Sequence, residues 1–236
     1  MSPSELHHDD ALESFLDKWR TRWPEWNVVQ VFVPAQQREL ALAWAALQQE
    51  LTDAAWGGSD ARPGEAKLAW WMEELQGWSR GLRRHPLGSA LQRQAAPWQA
   101  LGAAIPSLRE SRERPRDRED ALRAVLPFAQ AVAAVDATLF GGTAEAGVPA
   151  VQASLLQVRL AQLGEAGVPL SALAGSDGAT RAWSQELLAH WPPAGSAPRP
   201  RRLWAALARQ RLRRGDPALP LPPWTALMAA WRGVRG

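Results

Sequence analysis

Apolar residues recur at helical spacing along most of the chain, and this pattern predicts an all-α protein. In the segment 34–56 an apolar stripe lies opposite a side that is neutral rather than charged. A helix of this kind normally lies in the middle of a bundle. The pattern predicts a single domain with helices at 4–23, 34–56, 64–84, 87–104, 117–140, 149–163, 179–190, 200–214 and 223–232.

Proline and glycine residues set most of the predicted helix ends. Gly57-Gly58 and Gly141-Gly142 each follow a periodic segment. Pro97 is expected to break the fourth helix softly, and Pro106 to stop it firmly. The stretch Val28–Val33 is the only strand-like candidate, and it is too isolated to make a sheet. The segment 191–200 has the composition of a linker.

Composition narrows the class of protein further. The chain has no cysteine, which excludes disulfides and thiolate metal sites. Its 14 tryptophans could line a hydrocarbon pocket, although core filling explains most aromatic residues in helical domains. The acidic, amphipathic start is not typical of a signal peptide, and no apolar run is evident at bilayer length. We therefore expect a cytoplasmic protein, with a membrane-peripheral location left open.

Charge is uneven along the chain. Residues 1–30 are expected to form an N-terminal helix and connector, and residues 191–236 basic C-terminal helices. From Arg199 onward there are nine arginines and one acid, Asp216. Such a tail can meet a protein partner or an anionic membrane surface, although a solvated helix face is the commoner explanation. No aromatic–basic interleaving indicates nucleic acid, so none is expected as a partner.

The segment 67–91 carries the most specific motif in the chain. It contains the adjacent tryptophans Trp70-Trp71, the acidic pair Glu73-Glu74 and the break His85-Pro86. In this order the residues resemble a segment of the squalene/phytoene synthase family, whose members join two prenyl diphosphates. The resemblance implies a single-domain isoprenoid (terpenoid) synthase-like helical bundle.

Two further segments resemble the same family. Segment 32–56 places Arg38 and the pair Glu50-Leu51 at matching positions, and segment 203–232 ends in Ala-Trp-Arg. The three segments keep the family's order and together span most of the chain.

The resemblance also implies a metal-dependent condensation. In that family, two Asp-rich motifs on facing helices hold Mg²⁺, which neutralises the departing diphosphate. Here the first motif reads Thr52-Asp53-Ala54-Ala55-Trp56, so one acid of three remains. In the sixth predicted helix Gln152 and Ser154 match the neighbouring residues of the second motif, but no aspartate follows. A lone Asp53 makes a poor metal site.

These gaps predict a divergent, non-catalytic relative that binds a prenyl diphosphate, a lipid-like ligand or a protein partner. A respiratory complex I assembly factor with eroded aspartates is a precedent within the superfamily. The candidate ligand-binding residues are Arg38, Gln49, Trp56 and Gln152. No cofactor is expected for such a protein.

The alternative is an active prenyltransferase that condenses allylic prenyl diphosphates. It would hold Mg²⁺ in a rearranged site, with Asp53, Glu50, Glu73 and Glu74 as candidate catalytic residues. An exposed helix side is the simpler explanation for the last two.

Overall fold

Helices account for the regular structure of the chain. The computed structural model describes residues 3–173, 178–193, 195 and 197–235, with side chains from residue 11 onward. These residues contain no strand, so the all-α prediction is confirmed. Their α-helices are α1 Pro3–Arg22, α2 Trp26–Val29, α3 Arg38–Trp56, α4 Arg62–Trp78, α5 Leu87–Leu91, α6 Trp98–Glu110, α7 Arg118–Phe140, α8 Ala144–Leu163, α9 Leu170–Leu173, α10 Ala179–Ala189, α11 Arg199–Arg213 and α12 Pro223–Arg235.

Helix α3 lies at the centre of the bundle, as its neutral pattern predicts. It packs against α1, α4, α5, α6 and α8. Ala41, Ala43, Ala46 and Leu47 are fully buried on different sides of the helix. The alanines let the neighbouring helices approach α3 from several directions.

Helices α3 and α4 form an antiparallel hairpin. Glu50 on α3 pairs with Lys67 on α4 at 2.5 Å. Closer to the connecting loop, a Cβ at Gly64 would clash with the carbonyl oxygen of Ala54, so the close approach of the two helices requires glycine there. The loop itself starts at Gly57, whose N–H donates to the carbonyl of Asp53 at 2.8 Å.

One predicted helix end was wrong because a buried side chain decides it. The third helix ends at Trp78 rather than near Arg84, since the buried Glu74 accepts the backbone N–H groups of Arg84 and His85 and draws the chain back. The break expected at Pro97 in the fourth helix is present, and it separates α5, which ends at Leu91, from α6, which begins at Trp98.

Prolines interrupt the helices less than their positions predict. Pro106 lies inside α6, whose buried Ile105 and Leu108 continue the apolar face on either side of it. Pro149 lies inside α8, which begins five residues earlier at Ala144. Packing of these faces outweighs one lost backbone hydrogen bond.

The stretch Val28–Val33 forms helical turns instead of a strand. It continues α2 through a 3₁₀ turn at Gln30–Phe32. Trp26 and Val29 are buried by this conformation, because side chains three residues apart share one face of a helix.

Among the described helices, only α7 has the length and apolar composition needed to cross a membrane. It packs against α6 and α8. A core helix of a helical bundle can have the same length and composition as a membrane span. A cytoplasmic location stays a prediction.

Candidate ligand-binding cleft

A cleft opens between α1, α3, α8 and α11, and tryptophans form one of its walls. Trp19 and Trp23 come from the end of α1, and Trp204 comes from α11. The ring of Trp204 lies edge-on to Trp19 at 5.3 Å and to Trp23 at 5.8 Å between centroids. Behind it, Trp26 stacks on Trp204 at 4.9 Å. These four residues, the tryptophan cluster, make a stiff apolar wall.

The cleft consists of two adjoining parts of about 70 Å³ and about 110 Å³. We call the part beside the buried Arg201 the inner chamber and the part beside the exposed Arg22 the mouth. The two share Trp23, Gln49, Gln157 and Val158 as lining residues. The inner chamber is completed by the tryptophans, small apolar side chains and a few polar ones, namely Trp19, Ala45, Gln48, Thr52, Ser154, Leu155, Arg201, Trp204 and Ala208.

Several buried polar atoms of this lining have no hydrogen-bond partner among the described residues. They are the indole Nε1 donors of Trp19 and Trp204, the amide Oε1 acceptor of Gln157 and, at the mouth, Oε1 of Gln162. Buried polar atoms are nearly always paired in folded proteins, and leaving one unpaired costs about 1–3 kcal/mol. Four such atoms belong to residues that line this one cleft.

A buried ion pair closes the inner end of the cleft. Nε of Arg201 on α11 donates to Oδ2 of Asp136 on α7 at 2.7 Å, and Nη2 donates to Gln48 Oε1 at 2.7 Å. Trp44 Nε1 donates to Oδ1 of the same aspartate at 2.8 Å. The charge of Arg201 is therefore compensated before any ligand enters.

The mouth of the cleft carries two further ion pairs. Arg22 pairs with Asp53, which also accepts Nε2 of Gln49 at 2.5 Å and Nε2 of Gln162 at 2.8 Å. Gln162 lies on α8, so the facing helix offers Asp53 an amide and not a second carboxylate. Nη2 of Arg211 donates to Glu25 at 2.6 Å.

Arg211 is held in a buried setting beside the tryptophan cluster. Its guanidinium lies 3.7 Å above the ring of Trp23. Burial lowers the pKa of Arg211, and the neighbouring carboxylate of Glu25 partly offsets that effect. Glu25 Oε1 also accepts the backbone N–H of Leu221 at 2.8 Å, which ties the segment before α12 to the cleft.

The four acids expected to be catalytic do not converge on one site. Asp53 lies at the mouth, Glu50 pairs with Lys67 between α3 and α4, and Glu73 is exposed beside Arg84. Glu74 is buried, so it does not lie on an exposed helix side as the simpler explanation had it. Nε1 of Trp78 donates to it at 2.9 Å. Three of the four thus serve contacts away from the cleft.

Of the four candidate ligand-binding residues, Gln49 lines the cleft. Arg38 Nε donates to the carbonyl of Val33 at 3.1 Å, at the turn before α3. Trp56 is fully buried and donates its Nε1 to Ser111 Oγ at 3.1 Å, which fixes α3 against α6.

Gln152 lies elsewhere, between α7 and α8. Its Nε2 donates to the carbonyl of Leu122 at 2.9 Å, and it lines a separate pocket with Arg118 and His190. Ser154, by contrast, lines the first cleft. Gln152 and Ser154, the two residues that match the second family motif, therefore do not form one polar surface opposite Trp56.

Sequence reasoning missed most of the cleft, including Arg201, Gln157 and the tryptophans at its walls. One signal was available: Asp136 is the sole charge between Arg123 and Glu145. An acid in so apolar a helix needs a buried cation or a cluster of donors. Which residue supplies it could not be read from local pattern.

Among residues 3–173, 178–193, 195 and 197–235, no three His, Asp or Glu side chains lie close enough together to hold a metal ion. No protein-family model matches the chain, and no curated protein sequence is significantly similar to it.

Proposed function

We propose that this protein is a non-catalytic, divergent relative of the squalene/phytoene synthases that binds a neutral prenyl or other lipid-like molecule in the tryptophan-walled cleft. The observation that carries the proposal is the set of unpaired Nε1 and Oε1 atoms of Trp19, Trp204 and Gln157 around an apolar chamber. Apolar pockets with a few convergent polar groups are the usual form of a small-molecule site.

The polar atoms favour a particular head group. Two N–H donors and an amide acceptor suit a hydroxyl or carbonyl group, since a hydroxyl both donates and accepts. The rest of the ligand would lie against Ala45, Leu155 and the indole rings.

The charges favour a neutral ligand over a prenyl diphosphate. Three cations border the cleft, and each has its own carboxylate: Arg22 with Asp53, Arg201 with Asp136, and Arg211 with Glu25. A diphosphate would bring charge that no unpaired cation of this lining could compensate, and burying such charge is costly.

The same pairing supports a role without prenyl transfer. Diphosphate release needs carboxylates that hold Mg²⁺ on opposite sides of the substrate. Asp53 instead faces an arginine and two amides, and Glu50, Glu73 and Glu74 each lie next to Lys67 or Arg84.

The dimensions limit the ligand. The inner chamber and mouth, about 70 and 110 Å³, accommodate a head group and a short chain. A longer chain requires Trp19 and Trp23, at the end of α1, to move outward.

Binding of the ten-carbon alcohol geraniol, measured by isothermal titration calorimetry, tests the proposal. Geraniol should bind, and geranyl diphosphate should displace it only weakly. Trp204→Phe keeps an aromatic wall but removes one donor, so it should weaken geraniol binding by about 3- to 10-fold.

Trp71→Phe is the matched control. Trp71 is also buried with an unpaired Nε1, but it lies at α4 beside His85 and not in the cleft. Its variant should bind like the parent. Equal losses in both variants, ready displacement of geraniol by the diphosphate, or no geraniol binding would each reject the proposed ligand class.

A further inference from the structure

A second cleft, separate from the first, lies between α11, α12 and the segment 191–193. Its volume is about 290 Å³. Among the residues that the structure describes, no acidic side chain lines it, whereas four arginines do: Arg202, Arg209, Arg213 and Arg232. We refer to this set as the arginine cleft.

The arginines of α11 divide into two groups by face. Arg201 and Arg211 point to the first cleft and are paired with Asp136 and Glu25. Arg202, Arg209 and Arg213 are spaced by seven and four residues, so they share the opposite face of the helix. Within the described residues none of these three has a salt-bridge partner.

Two atoms of the arginine cleft are buried and unsatisfied. Nε of Arg202 and Nε of Arg209 are shielded from solvent and have no hydrogen-bond partner among the described residues. Burial lowers the pKa of Arg209, and the neighbouring charge of Arg213 lowers it further. Like charges held this close, with donors left unpaired, lower the stability of the empty protein.

The crossing of α11 and α12 holds Arg232, the arginine on α12, in place. A Cβ at Gly233 would lie 2.7 Å from the Cβ of Ala206 and 3.1 Å from the carbonyl oxygen of Arg202. Glycine therefore allows the two helices to touch, and the adjacent Arg232 lies beside the α11 arginines.

We propose that the arginine cleft binds a phosphate ester or diphosphate group, whose oxygens accept from the guanidinium donors of Arg202, Arg209, Arg213 and Arg232. The planar guanidinium fork matches a phosphate group with two parallel hydrogen bonds. A phosphate also supplies the negative charge that the lining lacks. The volume approaches that of small-molecule sites, so the cleft holds more than a single ion.

The apolar part of the lining would contact the organic part of the ligand. It includes Trp191, Pro192, Pro193 and Ala229. The same phosphate chemistry occurs in soluble phosphate esters and in phospholipid head groups. Trp224 and Trp231 are exposed on α12 but do not line the cleft.

The test compares two phosphate sources on the full chain. Inorganic pyrophosphate is titrated by calorimetry, and sedimentation measures binding to vesicles of phosphatidylglycerol with phosphatidylcholine or of phosphatidylcholine alone. Arg209→Gln combined with Arg213→Gln should weaken binding by at least about tenfold. Added salt should weaken the parent's binding as well.

Arg199→Gln combined with Arg214→Gln is the matched control, because it makes the same change in charge on exposed positions of α11 and just after it that do not line the cleft. The control should bind like the parent. Without ligand, the Arg209/Arg213 variant should melt no lower than the parent, since it loses like-charge repulsion.

Each outcome decides the question. Pyrophosphate binding that only the Arg209/Arg213 variant loses supports a soluble ligand. Binding confined to phosphatidylglycerol vesicles, lost in the same variant, supports a lipid head group. No binding to either, or equal losses in both variants, overturns the proposal.

Discussion

Nε of Arg201 and Oδ2 of Asp136 lie 2.7 Å apart in the core and join α11 to α7. Their side chains are 4% and 2% exposed, so water screens this pair very little. The pair also orders the inner end of the cleft, because Gln48 and Trp44 bind to it. Burial of both charges makes each one depend on the other.

Replacing Asp136 by alanine should lower the free energy of unfolding by about 3–5 kcal/mol, because Arg201 would keep a buried, uncompensated charge. Urea denaturation measures this. The double variant Asp136→Leu with Arg201→Met should recover most of the loss, since neither charge remains. A single variant as stable as the parent would mean that water reaches the pair.

Glu74 should make the protein less stable in acid. Burial by itself would raise the pKa of Glu74, but the N–H groups of Arg84, His85 and Trp78 and the Arg84 guanidinium lower it below the ordinary 4.5. A carboxyl whose pKa is lowered by folding stabilises the protein above its unfolded pKa. That contribution is lost as the pH falls from 4.5 through the folded pKa.

Glu74→Gln should therefore lower stability at neutral pH by about 1–3 kcal/mol and flatten the loss of stability between neutral pH and acid. Urea midpoints measured at several pH values check this. The exposed neighbour Glu73→Gln is the control and should retain the parent's profile. Matching profiles for both variants would contradict the role given to Glu74.

Trp56 should act as a structural residue. It is fully buried and bonded to Ser111, so Trp56→Ala should lower the free energy of unfolding by about 3–5 kcal/mol. Trp56→Asp, which restores an acid of the Asp-rich pattern, should also destabilise and gain no Mg²⁺ dependence. Thermal melts with and without Mg²⁺ measure both effects; a Mg²⁺-dependent rise would argue for a retained metal site.

Asp53 should not support prenyl transfer, even when its partner Arg22 is removed. With farnesyl diphosphate, Mg²⁺ and reductant, the parent and Arg22→Ala should release no diphosphate above background, since Gln162 is the group facing Asp53. Because Arg22 is about half exposed, its loss should change stability by about 1 kcal/mol or less. Turnover that Asp53→Ala abolishes would instead establish the prenyltransferase alternative.

Gly233 should be essential to the crossing of α11 and α12. Gly233→Ala places a methyl group 2.7 Å from Ala206, so we expect a loss of about 1–3 kcal/mol. Gly147→Ala is the control, because its Cβ would make an ordinary 3.4 Å contact with Ala133. Equal urea midpoints for the two variants would show that the helices can separate at this point.

The sequence determined the parts of the structure that depend on neighbouring residues. Helical spacing predicted an all-α fold, and the neutral pattern of 34–56 predicted that α3 is central. Gly57 and Gly141 ended their helices as expected, since each glycine N–H caps the last turn of its own helix. Pro106 shows the limit, because packing on both sides carries α6 through it.

Tertiary structure decided which acids and cations meet. Asp136 and Arg201 are 65 residues apart, and Gln162 is 109 residues from Asp53, so no local pattern could predict either contact. Glu74 looked like part of an exposed pair, yet it is buried because a turn ten residues later donates to it. Periodicity assigns a residue to a face of its helix, and only the packing of helices determines what lies opposite that face.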